Sequence, residues 1–295
     1  HSASYALVSC KSAWLKANYP ADFMAAVISN QGGFYSPFAY LSEARRMGIR
    51  VLQPDINDSA WKYRGGEGWI RMGLMQVQGL SRGGAESLLL EREKGGIYSG
   101  FTDFLQRTAL DPADVRLLIR AGGFDILEGL AQRPALQWRL LAAHRRRSTG
   151  TLELFEDGES SLPVPRPYDE KTVLNQEIDT LGLLASRHPL TLYRQMLERV
   201  RTVPAARMGD HVGRTVTMAG WWVTGKPVST KHGEPMEFVT FEDTTATFET
   251  TFFPRAYERF CRKLTRHRPY LLRGRVEEEF GVATLNVQWV GHLAE

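Results

Sequence analysis

Val77-Gln78-Gly79-Leu80-Ser81-Arg82-Gly83-Gly84-Ala85, running into Glu86-Ser87-Leu88-Leu89-Leu90-Glu91-Arg92, decides how the first half of the chain reads. An apolar-X-Gly-apolar bend ahead of an amphipathic helix leaves the first-turn N–H groups without intrahelical partners, and such an end suits a phosphate oxygen. Gly79 and Gly83 let an anion approach the main chain with no Cβ in the way. The pattern is that of a helix-hairpin-helix, which grips a nucleic-acid backbone without reading bases. Gly79, Ser81, Arg82 and Gly83 are therefore the expected contacts to duplex phosphate. The same spacing also fits an ordinary helix–turn–helix corner with a glycine turn.

Downstream, Asp111 is the expected cap of a helix over Ala113 to Ala121, with Pro112 in its first turn. That helix runs into a second apolar-Gly-apolar turn, Ala121-Gly122-Gly123-Phe124-Asp125, more degenerate than the first and read as a packing partner. Upstream, i, i+3, i+4 apolar spacing predicts helices over Tyr5 to Asn18, Ala21 to Ser29 and Pro37 to Met47, the last closed by Gly48. Val51 to Asn57 reads as extended chain and Trp61 to Met72 as a hairpin.

Charge follows this organisation. Residues 1–150 carry 19 Lys and Arg against 13 Asp and Glu, a net +6, whereas residues 151–203 sum to −3 and residues 204–295 to +1. The basic half is thus the half with the glycine bend, as phosphate binding requires. A helix over Gln132 to Arg147 ends in Arg145-Arg146-Arg147, a pattern that complements a helix dipole. Asp157 to Ser161 with Pro163, Pro165 and Pro167 then reads as an exposed linker. Lys171 to Leu184 and Leu190 to Val200 return to helix on either side of His188-Pro189.

From Met208 the period changes to two. Thr215 to Thr224, Met236 to Asp243, Thr247 to Phe253, Tyr270 to Glu277 and Ala283 to Val290 are strand candidates, with a helix over Arg255 to Leu264 between the third and fourth. That order predicts a five-stranded OB-fold barrel. Its expected nucleic-acid contacts are Lys226, Lys231 and His232 in a loop over Gly225 to Pro235, together with Trp222 and Phe238 as rings on which bases stack. The whole reads as an α+β multidomain chain: a helical region over 1–70, a tandem helix-hairpin-helix unit over 71–150, a linker with helices over 151–206 and the barrel over 207–295.

At 295 residues with 43% apolar and 24% charged residues, the composition is that of an ordinary globular protein. No apolar run has the roughly 18 residues a membrane span needs. Cys10 and Cys261 make neither a disulfide framework nor a zinc site, and a reducing cytoplasm is the expected compartment. A start at His1 rather than methionine reads as a piece of something larger.

Taken together, these segments resemble the C-terminal half of the alpha subunit of bacterial C-family DNA polymerases. The resemblance rests on His1-Ser2-Ala3-Ser4-Tyr5-Ala6, Ala13-Trp14-Leu15-Lys16, Tyr19 to Ala26, Glu43-Ala44-Arg45-Arg46-Met47-Gly48, Pro54-Asp55-Ile56-Asn57, Gly79-Leu80, Ala121 to Asp125, Gly182 and His188-Pro189-Leu190. It implies that residues 1–70 end the fingers domain. Gly33-Phe34-Tyr35-Ser36-Pro37 looks more like the error-prone, damage-tolerant paralogue than the main replicase. The resemblance also implies a sliding-clamp peptide, of which Leu154 and Phe155 match while Thr151 replaces the family's Gln.

No Asp-X-Asp occurs, so the carboxylate cluster that two-metal phosphoryl transfer needs is not expected here. No catalytic residue and no metal ligand is assigned to this chain; the resemblance places the catalytic aspartates and their Mg²⁺ in the parent's palm domain. The expected role is to hold duplex and single-stranded DNA for a DNA-directed DNA polymerase in replication or repair synthesis. Alternatives are a stand-alone nucleic-acid-binding accessory module, or a barrel that binds another protein.

Overall fold

The structure, a computed structural model, describes residues 2–31, 35–149, 165–265, 268–279 and 281–293. The chain divides into two compact units, one of His1–Gly33 with Gly48–Ser186 and one of Phe34–Met47 with Arg187–Glu295.

In the first unit α1 (Ser2–Asn18) leads into α2 (Pro20–Asn30), which Pro20 starts and a left-handed Gln31 stops. The next helix, α3 (Pro37–Arg46), belongs to the second unit. α2 buries Ala21, Met24, Ala25 and Ile28. It lies against a small sheet of β1 (Arg50–Leu52), β2 (Arg64–Gly66) and β3 (Trp69–Arg71). A Cβ on Gly65 would strike the backbone of Ala21 and Asp22, which is why that strand residue is glycine. The expected hairpin is β2–β3, turned at Gly68 with φ +75°. The extended segment before it adds a strand that runs parallel to β3.

Helices α4 (Arg82–Gly95), α5 (Phe101–Arg107), α6 (Pro112–Arg120), α7 (Asp125–Glu128), α8 (Arg133–Thr149) and α9 (Glu170–Leu181) complete this unit. Its aromatic centre is Tyr98, Phe101, Phe104 and Phe124, all fully or nearly fully buried. Three edge-to-face pairs among them have ring centroids 5.0–5.1 Å apart; each such pair adds about 0.5–1.5 kcal/mol beyond area burial. Ser81, Asp111 and Asp169 cap α4, α6 and α9 with their side chains.

In the second unit, the continuous helix expected over Leu190 to Val200 is instead a 3₁₀ turn at Pro189–Tyr193 and a single turn, α10 (Arg194–Leu197). Tyr193, at φ −104° and ψ 14°, lies in the bridge region and interrupts the helical ladder. β4 (Thr215–Ser229), β5 (Pro235–Glu242), β6 (Thr247–Phe252), β7 (Pro269–Glu279) and β8 (Val282–His292) close a barrel in the order β4-β5-β6-β8-β7. α11 (Pro254–Phe260) lies between β6 and β7, so the five strands and one helix have OB-fold topology. Phe241, Phe248, Phe252, Leu272, Val276 and Leu285 point inward at alternate positions and fill the barrel.

Buried polar groups tie this unit together. Glu242 is 0% exposed, accepting from Arg46 Nη1 of α3 at 3.2 Å and from His188 Nε2 at 2.9 Å. His188 Nδ1 accepts from the Leu190 N–H at 3.1 Å, so the neutral ring with its proton on Nε2 satisfies both bonds. Tyr270, equally buried, donates its hydroxyl to Thr265 O at 2.6 Å, with Lys263 O the alternative acceptor at 2.9 Å, and receives the Thr265 N–H at 2.6 Å. Tyr270→Phe therefore leaves both backbone groups unpaired and should cost the barrel about 1–3 kcal/mol. Urea unfolding followed by circular dichroism measures it; a change below experimental error would show that water replaces the hydroxyl there.

Candidate nucleic-acid interface

The glycine bend ahead of α4 is built by long-range bonds. Val77 and Leu80 are buried, and the Leu80 N–H returns to Val77 O at 3.2 Å. Gln78 donates its N–H to Thr180 O at 2.7 Å, and Gln76 Nε2 donates to Leu181 O at 2.6 Å, so the end of α9 clamps the bend from one side. From the other side comes Asp114 of α6, 6% exposed. Its Oδ1 accepts the Ser81 N–H at 3.0 Å and its Oδ2 the Ser81 hydroxyl at 2.5 Å. Ser81 Oγ in turn accepts from the Gly84 N–H at 2.9 Å.

Ser81 is thus a cap held in place, and its hydroxyl is already committed on both sides. What remains is a small, outward-facing set of donors. Gly79, Ser81, Arg82 and Gly83 are all exposed, and the N–H groups of Gly79, Arg82 and Gly83 have no acceptor among the described residues. Gly79 has φ +82°, a left-handed conformation that favours glycine. A Cβ on Gly83 would meet nothing within 4 Å, so its surroundings are open. The Arg82 guanidinium lies 4.3 Å over the Trp61 ring, and its Nε bonds Glu86 at 2.6 Å. An exposed pair of that kind is worth about 0–1 kcal/mol, so an arriving anion can redirect it at little cost.

Two free N–H groups of the first helical turn, the Gly79 N–H just before it and a nearby guanidinium make this helix start suited to a phosphate-like anion. The carboxylate of Asp114 lies close by, but both its oxygens are occupied on the inner side of the cap. Asp114, Thr180 and Trp61 were not legible as parts of the site. Nothing local in Asp111-Pro112-Ala113-Asp114 says that its last residue reaches a serine 33 positions away.

The second turn is different. Gly122 and Gly123 are buried, and their N–H groups go to Ile119 O at 3.1 Å and Leu118 O at 2.8 Å. Behind them sits Arg133, 1% exposed, paired with Asp125 at 2.8 and 2.5 Å and donating to Arg120 O at 3.0 Å. The N–H groups of both glycines are spent inside the fold, and the turn acts in packing.

On the barrel, the long basic loop expected over Gly225 to Pro235 is short. β4 continues to Ser229, so Lys226 stands on the strand, directly across from Phe238 of β5. Pro227 lies within the strand, opposite Glu237, a place tolerated where the ladder does not need its missing N–H. Lys231 and His232 are exposed in the remaining loop, which Gly233 turns at φ +81°. Phe238 is 45% exposed beside Lys226, whereas Trp222 packs partly against the barrel core. Leu154 and Phe155 lie outside the described residues.

Among the described residues no group of three His, Cys, Asp or Glu is placed to hold a metal ion, and no helix is long and apolar enough to cross a membrane.

The chain is similar to several known proteins. Residues 48–134 match a family described as a helix-hairpin-helix motif. DNA polymerase III subunit alpha of Saccharopolyspora erythraea is 34% identical over 310 residues, covering 97% of this chain and 26% of that protein. The Escherichia coli K12 subunit is 31% identical, covering 94% of this chain and 25% of its own length, and the Thermus aquaticus subunit is 33% identical, covering 94% and 24%. The chain spans about a quarter of the length of the curated relatives it matches. Among solved structures, a replication protein A domain from Methanococcus maripaludis aligns at 13% identity and TM-score 0.24, covering 28% of this chain and 85% of that one.

Proposed function

We propose that the chain is a DNA-holding portion of a DNA-directed DNA polymerase of the DNA polymerase III alpha-subunit family. The bend at Gly79 grips a phosphate of duplex DNA, and the barrel handles single-stranded DNA through Lys226, Phe238 and the loop that carries Lys231 and His232. The single observation that carries this reading is the set of unpaired, exposed N–H groups at Gly79, Arg82 and Gly83 beside the Arg82 guanidinium.

Nucleotide transfer, with its carboxylates and Mg²⁺, is assigned to other parts of the longer polymerase, and this chain by itself should be inert in synthesis. A cytoplasmic location and a sliding-clamp contact through Leu154 and Phe155 belong to the same proposal. So does a damage-tolerant role, which rests on Gly33-Phe34-Tyr35-Ser36-Pro37. Of that stretch Gly33 and Phe34 lie outside the described residues. Lesion bypass by the full polymerase tests this last role.

Duplex affinity measured against salt tests the grip. Each neutralised phosphate contributes a slope of about −0.9 in log K against log salt. One phosphate held at the bend then loses about 3.5-fold in affinity between 50 and 200 mM salt, and each further phosphate contact multiplies that loss by the same factor. A flat salt response, or no duplex binding at 50 mM, would remove the phosphate grip.

A further inference from the structure

The wall of the barrel formed by β4, β7 and β8 carries a second feature that the duplex grip and the Lys226–Phe238 face do not use. Along β8, Leu285, Val287 and Val290 point inward, while a register shift beside Arg273 and Gly274 of β7 breaks the alternation. Gln288 and Trp289 are both exposed as a result, and Trp289 keeps 42% of its surface in solvent. The ring lies against Gly291, where a Cβ would come within 2.7 Å of Cη2 and 2.8 Å of Cζ2. Glycine therefore makes room for this end of the indole, while 42% of the residue's surface stays in solvent.

Arg273 stands directly opposite Trp289, and Arg275 is opposite Asn286, two residues further along β7. On the other side these arginines neighbour Thr217 and Thr215 of β4. Both guanidinium groups are on exposed residues, and neither has an ion pair or hydrogen bond among the described residues. On the same face of β7, Glu277 follows Arg275 at the next outward position, so the strand presents cations at its Arg273 end and carboxylates at the other.

We propose that Trp289, Arg273 and Arg275 form a second contact for single-stranded nucleic acid. A base stacks on the open part of the indole, and the adjoining phosphates pair with the two guanidinium groups. Charge complementarity selects this occupant: an open ring flanked by two unpaired cations suits a polyanion whose repeating unit carries a flat aromatic face. The contact extends the reading of the barrel as a single-strand binder but uses a different part of it. Thr217, beside Arg273, and Lys226, beside Phe238, are separated by nine residues of β4, about 30 Å of strand.

The test uses the full chain and a fluorescently labelled oligothymidylate, with affinity read by anisotropy at low salt. Loss of one base stack predicts that Trp289→Leu weakens binding by about 5- to 160-fold. Trp289→Phe, which keeps a ring, should recover most of that loss and so separates stacking from a folding defect. Arg273→Gln with Arg275→Gln should reduce the salt slope by about 1.4. If Trp289→Leu binds as tightly as the unaltered chain while Phe238→Ala with Lys226→Ala binds weakly, the second contact is overturned and the barrel reading stands. If neither set changes affinity, both fail.

Discussion

Gly79→Val abolishes duplex binding by this chain while the barrel unfolds at an unchanged temperature. Valine at φ +82° is strained whatever the space around it, and the left-handed region costs a β-branched residue more than the roughly 1–2 kcal/mol paid by others. The nearest atom to a new Cβ, Leu117 Cδ1 at 3.4 Å, is an ordinary contact, so crowding from within adds little. The damage falls on the outward side. Relieving the strain rotates the peptide and moves the Gly79 N–H off its line, and the isopropyl group occupies the approach of the phosphate. Hydrogen bonds to charged groups contribute about 1.5–3 kcal/mol each. Losing two predicts a rise in Kd of about a hundredfold or more. Gly79→Asn, a residue tolerated in the same region, is the companion variant that keeps the backbone shape. Electrophoretic mobility shifts with a blunt duplex read both, and a valine variant with unaltered affinity would take the bend out of the site.

The second large effect is on stability. Arg133→Ala should destabilise the first unit by about 3–5 kcal/mol, because removing one partner of a buried ion pair leaves the other uncompensated. Here Asp125 loses both its guanidinium contacts, Arg120 O loses its donor, and Gln176 loses a bond at 3.3 Å. For a unit of this size each kcal/mol moves the midpoint by about 2–4 °C, so its thermal transition should fall by roughly 10 °C. The barrel does not share the pair, and its transition should stay in place. Replacing both partners with apolar residues, Arg133→Met with Asp125→Leu, should restore much of the loss. Calorimetry resolves the two transitions, and a loss below 1 kcal/mol for the alanine variant would show that water enters and rescues the carboxylate.

Both variants touch glycine-turn motifs that look alike in sequence and behave differently in the structure. Gly79-Leu80 and Gly122-Gly123-Phe124 each read as an apolar-Gly-apolar bend. Only the first presents free donors. The second is spent on closing α6 and seating Arg133. Degeneracy of the second motif pointed that way, but the reason for it, a guanidinium arriving from the start of α8, is a tertiary fact. The same holds for His188-Pro189-Leu190, which reads as a helix break and serves as part of the buried bond to Glu242.

The chain's own order of residues was enough for whatever depends on near neighbours. Period-3.6 apolar spacing placed most of the helices, though not the one expected over Leu190 to Val200, and period-two spacing placed five strands with a helix between the third and fourth; the glycine bend itself was visible at Gly79. Pairing across long stretches was decided only in three dimensions. Asp114 joins Ser81 over 33 positions, Arg46 reaches Glu242 over 196, and β1 runs parallel to β3. Such contacts are chosen by which surfaces pack together after loop closure, and no short window of residues carries that information. The fold's parts were therefore readable beforehand. Which amide hydrogens stayed free to face a ligand was not.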